Sequence, residues 1–322
     1  MSQGAKPKTL SSRMCNLSVV PRLLISCCFS LFIILLPWES VVEDAFPDRS
    51  NYIAAFEGVD ELDPAIVLAI SGFWKFAVVF WSQFGLMPDT FLDIVSFLTL
   101  FSITFFLLGF CNPFFVCFFL VNPLIVDLVM AQQRSALALS FFIIWLSLDN
   151  KIARFFIVLA GLLTHLLFAL FITGHFIAKT VSKVAGLEPR SWNRLLQFII
   201  IFVAAIISLL GKDVIFLLLG DSRVESSSGS SSLIYGLFWL CMIFYLIAFN
   251  YQKDWISSFV LFFISLFIVA TLLDVYSLRY LSVVFPFFLI ALSQARLDKA
   301  LLSYLLMFAY SLTQWMYWLR LV

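Results

Sequence analysis

The stretch Ala65-Ile-Val-Leu-Ala-Ile-Ser-Gly-Phe-Trp-Lys75-Phe-Ala-Val-Val-Phe-Trp-Ser-Gln-Phe-Gly-Leu-Met87 decides how this chain is laid out. It is long and apolar enough to cross a bilayer, yet it carries Lys75, Ser82 and Gln83 and is crowded with Trp and Phe. Its reading turns on the segments around it. Apolar runs of spanning length lie at about 23–37, 89–110, 113–130, 135–148, 152–166, 167–178, 195–210, 233–250, 255–273, 279–294 and 300–318. If Ala65–Met87 does not span, Lys151, Arg154, Lys179, Lys183, Arg190, Arg194, Lys253, Arg296 and Lys299 all fall in inside loops. If it spans, they all move outside, against the positive-inside rule. The segment therefore reads as an outside interfacial or re-entrant helix, with its aromatic rings at headgroup depth.

The expected fold is an all-α polytopic membrane protein with about eleven transmembrane helices plus that helix. Residues 1–22 form a basic tail on the cytoplasmic side, and 23–322 form one membrane domain with outside loops at 38–88 and 211–232. The first run, after Lys6, Lys8, Arg13 and Arg22, reads as a retained helix rather than a cleaved signal, because no small-residue cleavage site follows it. Glu39–Asp63 sets eight acids against one base, Arg49, which suits an outside loop. Glu225–Ser232 has a flexible-linker composition.

Composition agrees. Of 322 residues, 63% are hydrophobic and 12% charged, against about 25% charged in soluble domains. Mean hydropathy is +1.05. A net charge of +1 offers no field for nucleic acid, so no nucleic-acid partner is expected. The six cysteines do not lie in outside loops, so no disulfide framework is expected. There is no P-loop, dinucleotide fingerprint, nucleophile elbow or paired Cys/His spacing. With His165 and His175 as the only histidines, neither a metal nor a cofactor is expected.

Three polar groups stand at one depth. Arg134 precedes Asp149 by the same stretch of chain by which His165 follows Asn150. A helical hairpin turning at Asp149-Asn150 places both about 22 Å above the turn, in a hydrocarbon core about 30 Å thick. By the same helical rise, Arg279 stands about 26 Å above Arg296, with Tyr276 and Tyr280 on either side. Charges at such depth are costly unless they meet water, a partner or an anion. Together they suggest a cationic pocket for an outer-leaflet anion, with a lipid diphosphate the natural guest. Blander readings stay open. The arginines are also placed to snorkel, His165 to serve as a satisfied core histidine, and Asp127 to pair with Arg134.

At these residues the sequence resembles the Wzy/EpsG-like O-antigen and exopolysaccharide polymerases. Asp48-Arg49-Ser-Asn-Tyr52-Ile-Ala-Ala-Phe56 looks like the family's Asp, three residues, Tyr pattern after the first helix. Asp127…Gln133-Arg134-Ser-Ala-Leu-Ala-Leu is similar to its Arg before a small-residue helix, followed by a His at the end of the next helix, here Leu162-Leu-Thr-His165. Tyr276-Ser-Leu-Arg279-Tyr280 resembles its late arginine before an aromatic. The sequence departs from the pattern after His165, where Leu166 and Leu167 replace a small polar residue and Ala. The order of elements covers roughly residues 20–310.

The resemblance implies a metal-independent bacterial inner-membrane glycosyltransferase with a GT-C-like architecture and a site facing the periplasm. It implies that undecaprenyl-diphosphate-linked oligosaccharides serve as donor and acceptor, among membrane lipids, with room for a chain-length regulator protein. Arg134, His165 and Arg279 then carry the chemistry, with His165 as phosphate donor or base and Asp48 as the alternative base. Asp48, Arg49, Tyr52, Asp127, Gln133, Tyr276 and Tyr280 bind substrate. Two rivals remain. A metal-dependent enzyme using a polyprenyl-monophosphate sugar would employ the acidic pairs Glu43-Asp44 or Asp60-Glu61. A lipid-linked-oligosaccharide flippase or transporter would show internal repeats and broken helices, and no such pairing is apparent in the sequence.

Overall fold

A computed structural model describes residues 17–38, 46–57, 72–186, 192–218, 233–247, 255–273, 278–293 and 297–319. Those residues form fourteen helices and no strand. They are α1 (Val19–Ile34), α2 (Pro47–Glu57), α3 (Gly72–Ser82), α4 (Pro88–Leu107), α5 (Pro113–Leu120), α6 (Pro123–Met130) and α7 (Gln133–Ser147). Then come α8 (Lys151–Thr164), α9 (Leu167–Gly186), α10 (Trp192–Leu218), α11 (Leu233–Tyr245), α12 (Trp255–Leu272), α13 (Leu278–Ser293) and α14 (Leu297–Trp318). The basic residues Lys6, Lys8, Arg13, Arg190, Lys253 and Arg296 lie outside the described residues, as does the linker Glu225–Ser232.

Three stretches are long and apolar enough to cross a membrane: α4, the Leu167–Val184 part of α9, and α12. Several shorter apolar helices accompany them, so the bundle is compatible with a polytopic membrane protein. A helix that is apolar all round belongs in a core. Accordingly every residue from Ile256 to Thr271 of α12, and from Tyr280 to Leu292 of α13, is buried. Helices α9, α10, α11 and α13 surround α12. Close approach of α9 to α12 depends on Gly174, where a Cβ would sit 2.8 Å from the Phe262 ring.

Helices α7 and α8 form the hairpin expected from the Asp149-Asn150 turn and pack along each other. Asn150 caps α8 by accepting from the backbone N–H of Ile152 at 2.8 Å, so the turn is fixed locally.

The structure revises four expectations. Residues 113–130 are a broken pair, α5 and α6, bent by 70°. Each half starts with an Asn cap followed by Pro: Asn112 accepts from Phe114, and Asn122 from Leu124, both at 2.9 Å. Pro tolerates a first helical turn and stops an incoming helix, so two such signals within one apolar run divide it into two helices. The segment 38–88 holds, besides α3 within the expected Ala65–Met87 helix, a second helix that was not expected, α2. Helix α10 runs on to Leu218, past the expected loop start at 211. Finally, Arg22 belongs to α1 rather than to a tail. It is buried, donates to the Phe105 carbonyl at 2.8 Å and stacks over the Phe105 ring at 4.3 Å.

The break at Val121-Asn122 interrupts the helical ladder and leaves polar groups that need partners elsewhere. Helix α14 covers it. Asn122 Nδ2 donates to Ser311 Oγ at 2.7 Å, and Trp315 Nε1 donates to the Val121 carbonyl at 3.1 Å. Trp38 stacks on Trp315, with centroids 5.9 Å apart. His175 is not part of the expected cationic level, and it is buried against Trp255 and Trp145 at ring distances of 4.6 and 5.2 Å.

Candidate functional site

The short helix α2 gathers the site. Asp48 and Tyr52 lie one turn apart on it, so both face the same way. Arg279 Nη2 lies 3.9 Å from Asp48 Oδ2. The Arg134 guanidinium lies 5.7 Å from the centre of the Tyr52 ring. One turn of α2 therefore meets arginines from α7 and α13, two helices remote from it in sequence and brought to it by the fold.

Both arginines break a local rule. Each is the second residue of its helix. A helix N-terminus already carries about half a positive charge, so a cation there is unfavourable. Neither first turn holds an acid, and Gln132 offers α7 no side-chain cap. Local rules are broken where function requires it. Two positive helix ends, each with an arginine, form an anion-attracting locus balanced by carboxylates of other helices.

Asp127 supplies one of these. Its Oδ2 accepts from Gln132 Nε2 at 2.6 Å, and it lies within electrostatic range of both Asp48 and Arg279. Helix α13 packs on both α6 and α7, which places the three elements side by side. The locus is therefore mixed in charge rather than simply cationic.

Arg49 is tied elsewhere. Its Nη2 donates to Asp89 and Asp93, each at 2.9 Å, and its Nε reaches Asp89 at 3.2 Å. These bonds pin α2 to α4. Beneath them Phe56, Trp74, Val78, Phe91, Leu92 and Val95 form a small separate core, with Tyr52 against Trp74 at 5.2 Å. Gln133 is fully buried and donates to the Leu92 carbonyl at 3.0 Å and Ser96 Oγ at 2.9 Å. Both residues thus hold the helices that carry the site. Tyr280 is buried on α13, and Tyr276 lies outside the described residues, as do Glu43-Asp44 and Asp60-Glu61.

His165 ends α8 at the Arg134 end of the hairpin. Its backbone is extended, at φ −160° and ψ 135°. Its carbonyl accepts from Phe168 N–H at 2.9 Å, and its Nδ1 accepts from Leu167 N–H at 3.0 Å. It therefore caps the start of α9. With Nδ1 accepting, the neutral ring carries its hydrogen on Nε2. Gly161 makes room for the joint, since a Cβ there would meet the Phe168 ring at 2.3 Å.

Comparison with protein-family models, curated proteins and solved structures gives no match for this chain.

Sequence reasoning missed Asp89, Asp93 and Gln132. The two acids stand one helical turn apart just after Pro88, on one face, which is a usable signal. Gln132 stands five residues after Asp127, across the turn that ends α6, a spacing not used in the sequence reading.

Proposed function

We propose that the chain is a polysaccharide polymerase of the Wzy/EpsG-like kind, spanning the bacterial inner membrane about eleven times with this site toward the periplasm. It joins repeat units carried on undecaprenyl diphosphate. The observation that carries this reading is the meeting of Arg134 and Arg279, each at a helix N-terminus, on one turn of α2. A diphosphate is a good leaving group, so the reaction needs charge stabilisation and an aligned hydroxyl. The two arginines take up the diphosphate charge, and Nε2–H of His165 donates a hydrogen bond to it.

The Asp48–Arg279 pair suits exchange. At 3.9 Å, with the side chains 41% and 31% exposed, it is a loose pair, worth at most about 1 kcal/mol. An incoming phosphate replaces Asp48 on Arg279 at little cost. Arg49, bound to Asp89 and Asp93, holds α2 in reach while this happens.

The break in α5–α6 favours a second reading, a flippase or transporter for the same lipid-linked sugars. One experiment separates the two. In a deletion strain, polymerase loss removes the long surface-glycolipid ladder and leaves the core bearing one repeat unit. Flippase loss removes the single-unit band too. An unchanged ladder rejects both.

A further inference from the structure

We propose that Asp127, oriented by Gln132, accepts the proton of the attacking sugar hydroxyl. This rests on the polymerase reading above and assigns a base that it leaves open.

Joining a hydroxyl to an anomeric carbon releases a proton, and the group that takes it needs an available lone pair within the site. The described groups are few. Asp89 and Asp93 are both bonded to Arg49. Asp48 faces Arg279 and is the residue a phosphate displaces. His165 has its Nδ1 lone pair on Leu167 N–H, so its neutral ring presents a donor rather than an acceptor.

Asp127 differs from each. Among the described residues it has no arginine or lysine within ion-pairing distance. Its partner is a neutral amide, Gln132 Nε2, at 2.6 Å on Oδ2. That amide is held in place, because Gln132 is 2% exposed and its own N–H, with that of Ala131, bonds the Asp127 carbonyl at 3.0 and 2.8 Å. One carboxylate oxygen is thus fixed by a rigid turn, and the part-exposed residue keeps Oδ1 for another partner. A base held by an orienting third group is the usual arrangement for activating a hydroxyl. Helix α6, which carries Asp127, packs on α13, which carries Arg279, so the carboxylate stands within electrostatic range of the leaving-group clamp.

The step balances. The acceptor hydroxyl gives its proton to Asp127 Oδ1 as its oxygen bonds the donor's anomeric carbon. The bond from that carbon to the diphosphate oxygen breaks, and its electron pair leaves with the lipid diphosphate against Arg134 and Arg279. Asp127, which is partly exposed, then returns its proton to water.

The test uses the purified full chain in nanodiscs, with the lipid-linked fraction accumulated by the deletion strain as donor and acceptor. Wild type must lengthen these glycolipids, and its failure to do so rejects the polymerase reading itself. Asp127→Asn is expected to lower kcat at least about 100-fold with KM within about threefold. Asp127→Ala is expected to regain activity in added formate, which wild type and Arg279→Ala do not. If wild type works and Asp127→Asn keeps kcat within about threefold, the base is another group. If Asp127→Ala folds but formate restores nothing, the proposal also fails. If neither variant folds, the carboxylate is a structural tie and the proposal falls.

Discussion

His165 offers a separation of two roles in one side chain. Its Nδ1 caps α9 at 3.0 Å, and its Nε2–H is the proposed donor to the diphosphate. Asn places an acceptor near Nδ1 and nothing at Nε2, whereas Gln places an amide near Nε2 and loses the cap. Removing a capping side chain costs about 1 kcal/mol, within a range of about 0.5–2. Removing one donor to a developing negative charge costs about 10²–10³ in kcat. His165→Asn should therefore melt within about 0.5 kcal/mol of wild type and lose at least about 100-fold in turnover. His165→Gln should lose about 1 kcal/mol and keep turnover within about tenfold. Denaturant titration of the purified protein reads the first quantity, and elongation of lipid-linked units reads the second. A fully active His165→Asn refutes the donor role. A His165→Asn as unstable as His165→Ala refutes the cap.

Three further outcomes rest on the packing. Gly161→Ala drives a methyl to 2.3 Å from Phe168 Cδ2, well inside the ordinary carbon contact of about 3.5–4.0 Å. A loss of about 1–3 kcal/mol in denaturant titration is expected, and an unchanged midpoint contradicts the geometry. Asn122→Leu strands Ser311 and the Leu124 N–H at the bend, costing about 1–3 kcal/mol, whereas the exposed Asn112→Leu should cost less in the same titration. Arg49→Met frees α2 from Asp89 and Asp93, with about 1 kcal/mol or less lost in stability. Proteolytic cutting within Pro47–Glu57 should quicken several-fold and KM should rise more than kcat falls; unchanged cutting contradicts the pin.

What the sequence makes legible is whatever depends on short-range spacing. Arg134 and His165 come to the same end of the α7–α8 hairpin because Asp149-Asn150 lies midway between them, and a helical rise is uniform. The burial of α12 follows from a surface that is apolar on every side apart from small hydroxyl residues. The break at Asn122 is equally open to reading, since Asn112-Pro113 and Asn122-Pro123 are both helix-start signals, but hydropathy alone runs the segment together. Helix α2 is hidden by polarity, because what holds it is long-range: Arg49 reaches acids 40 and 44 residues away, and Phe56 enters a core with Trp74 and Phe91. The site is legible as a set of segments and not as a set of contacts. Nothing near Asp48 tells that it meets Arg279, because the two are remote in sequence and only the fold joins them.

The stitch across the bent pair also sets an order of events during synthesis. Val121 and Asn122 leave the ribosome long before Trp315 and Ser311, their partners 194 and 189 residues later. At about 5–20 residues per second, the bend waits roughly 10–40 seconds for the groups that complete it. Throughout that interval the Val121 carbonyl and the Asn122 side-chain amide depend on water, lipid headgroups or an insertion factor. The last helix is thus the closing clasp of the middle of the chain. A nascent chain stalled before residue 311 presents an unfinished bend to the quality-control proteases, however well its first hairpins have formed.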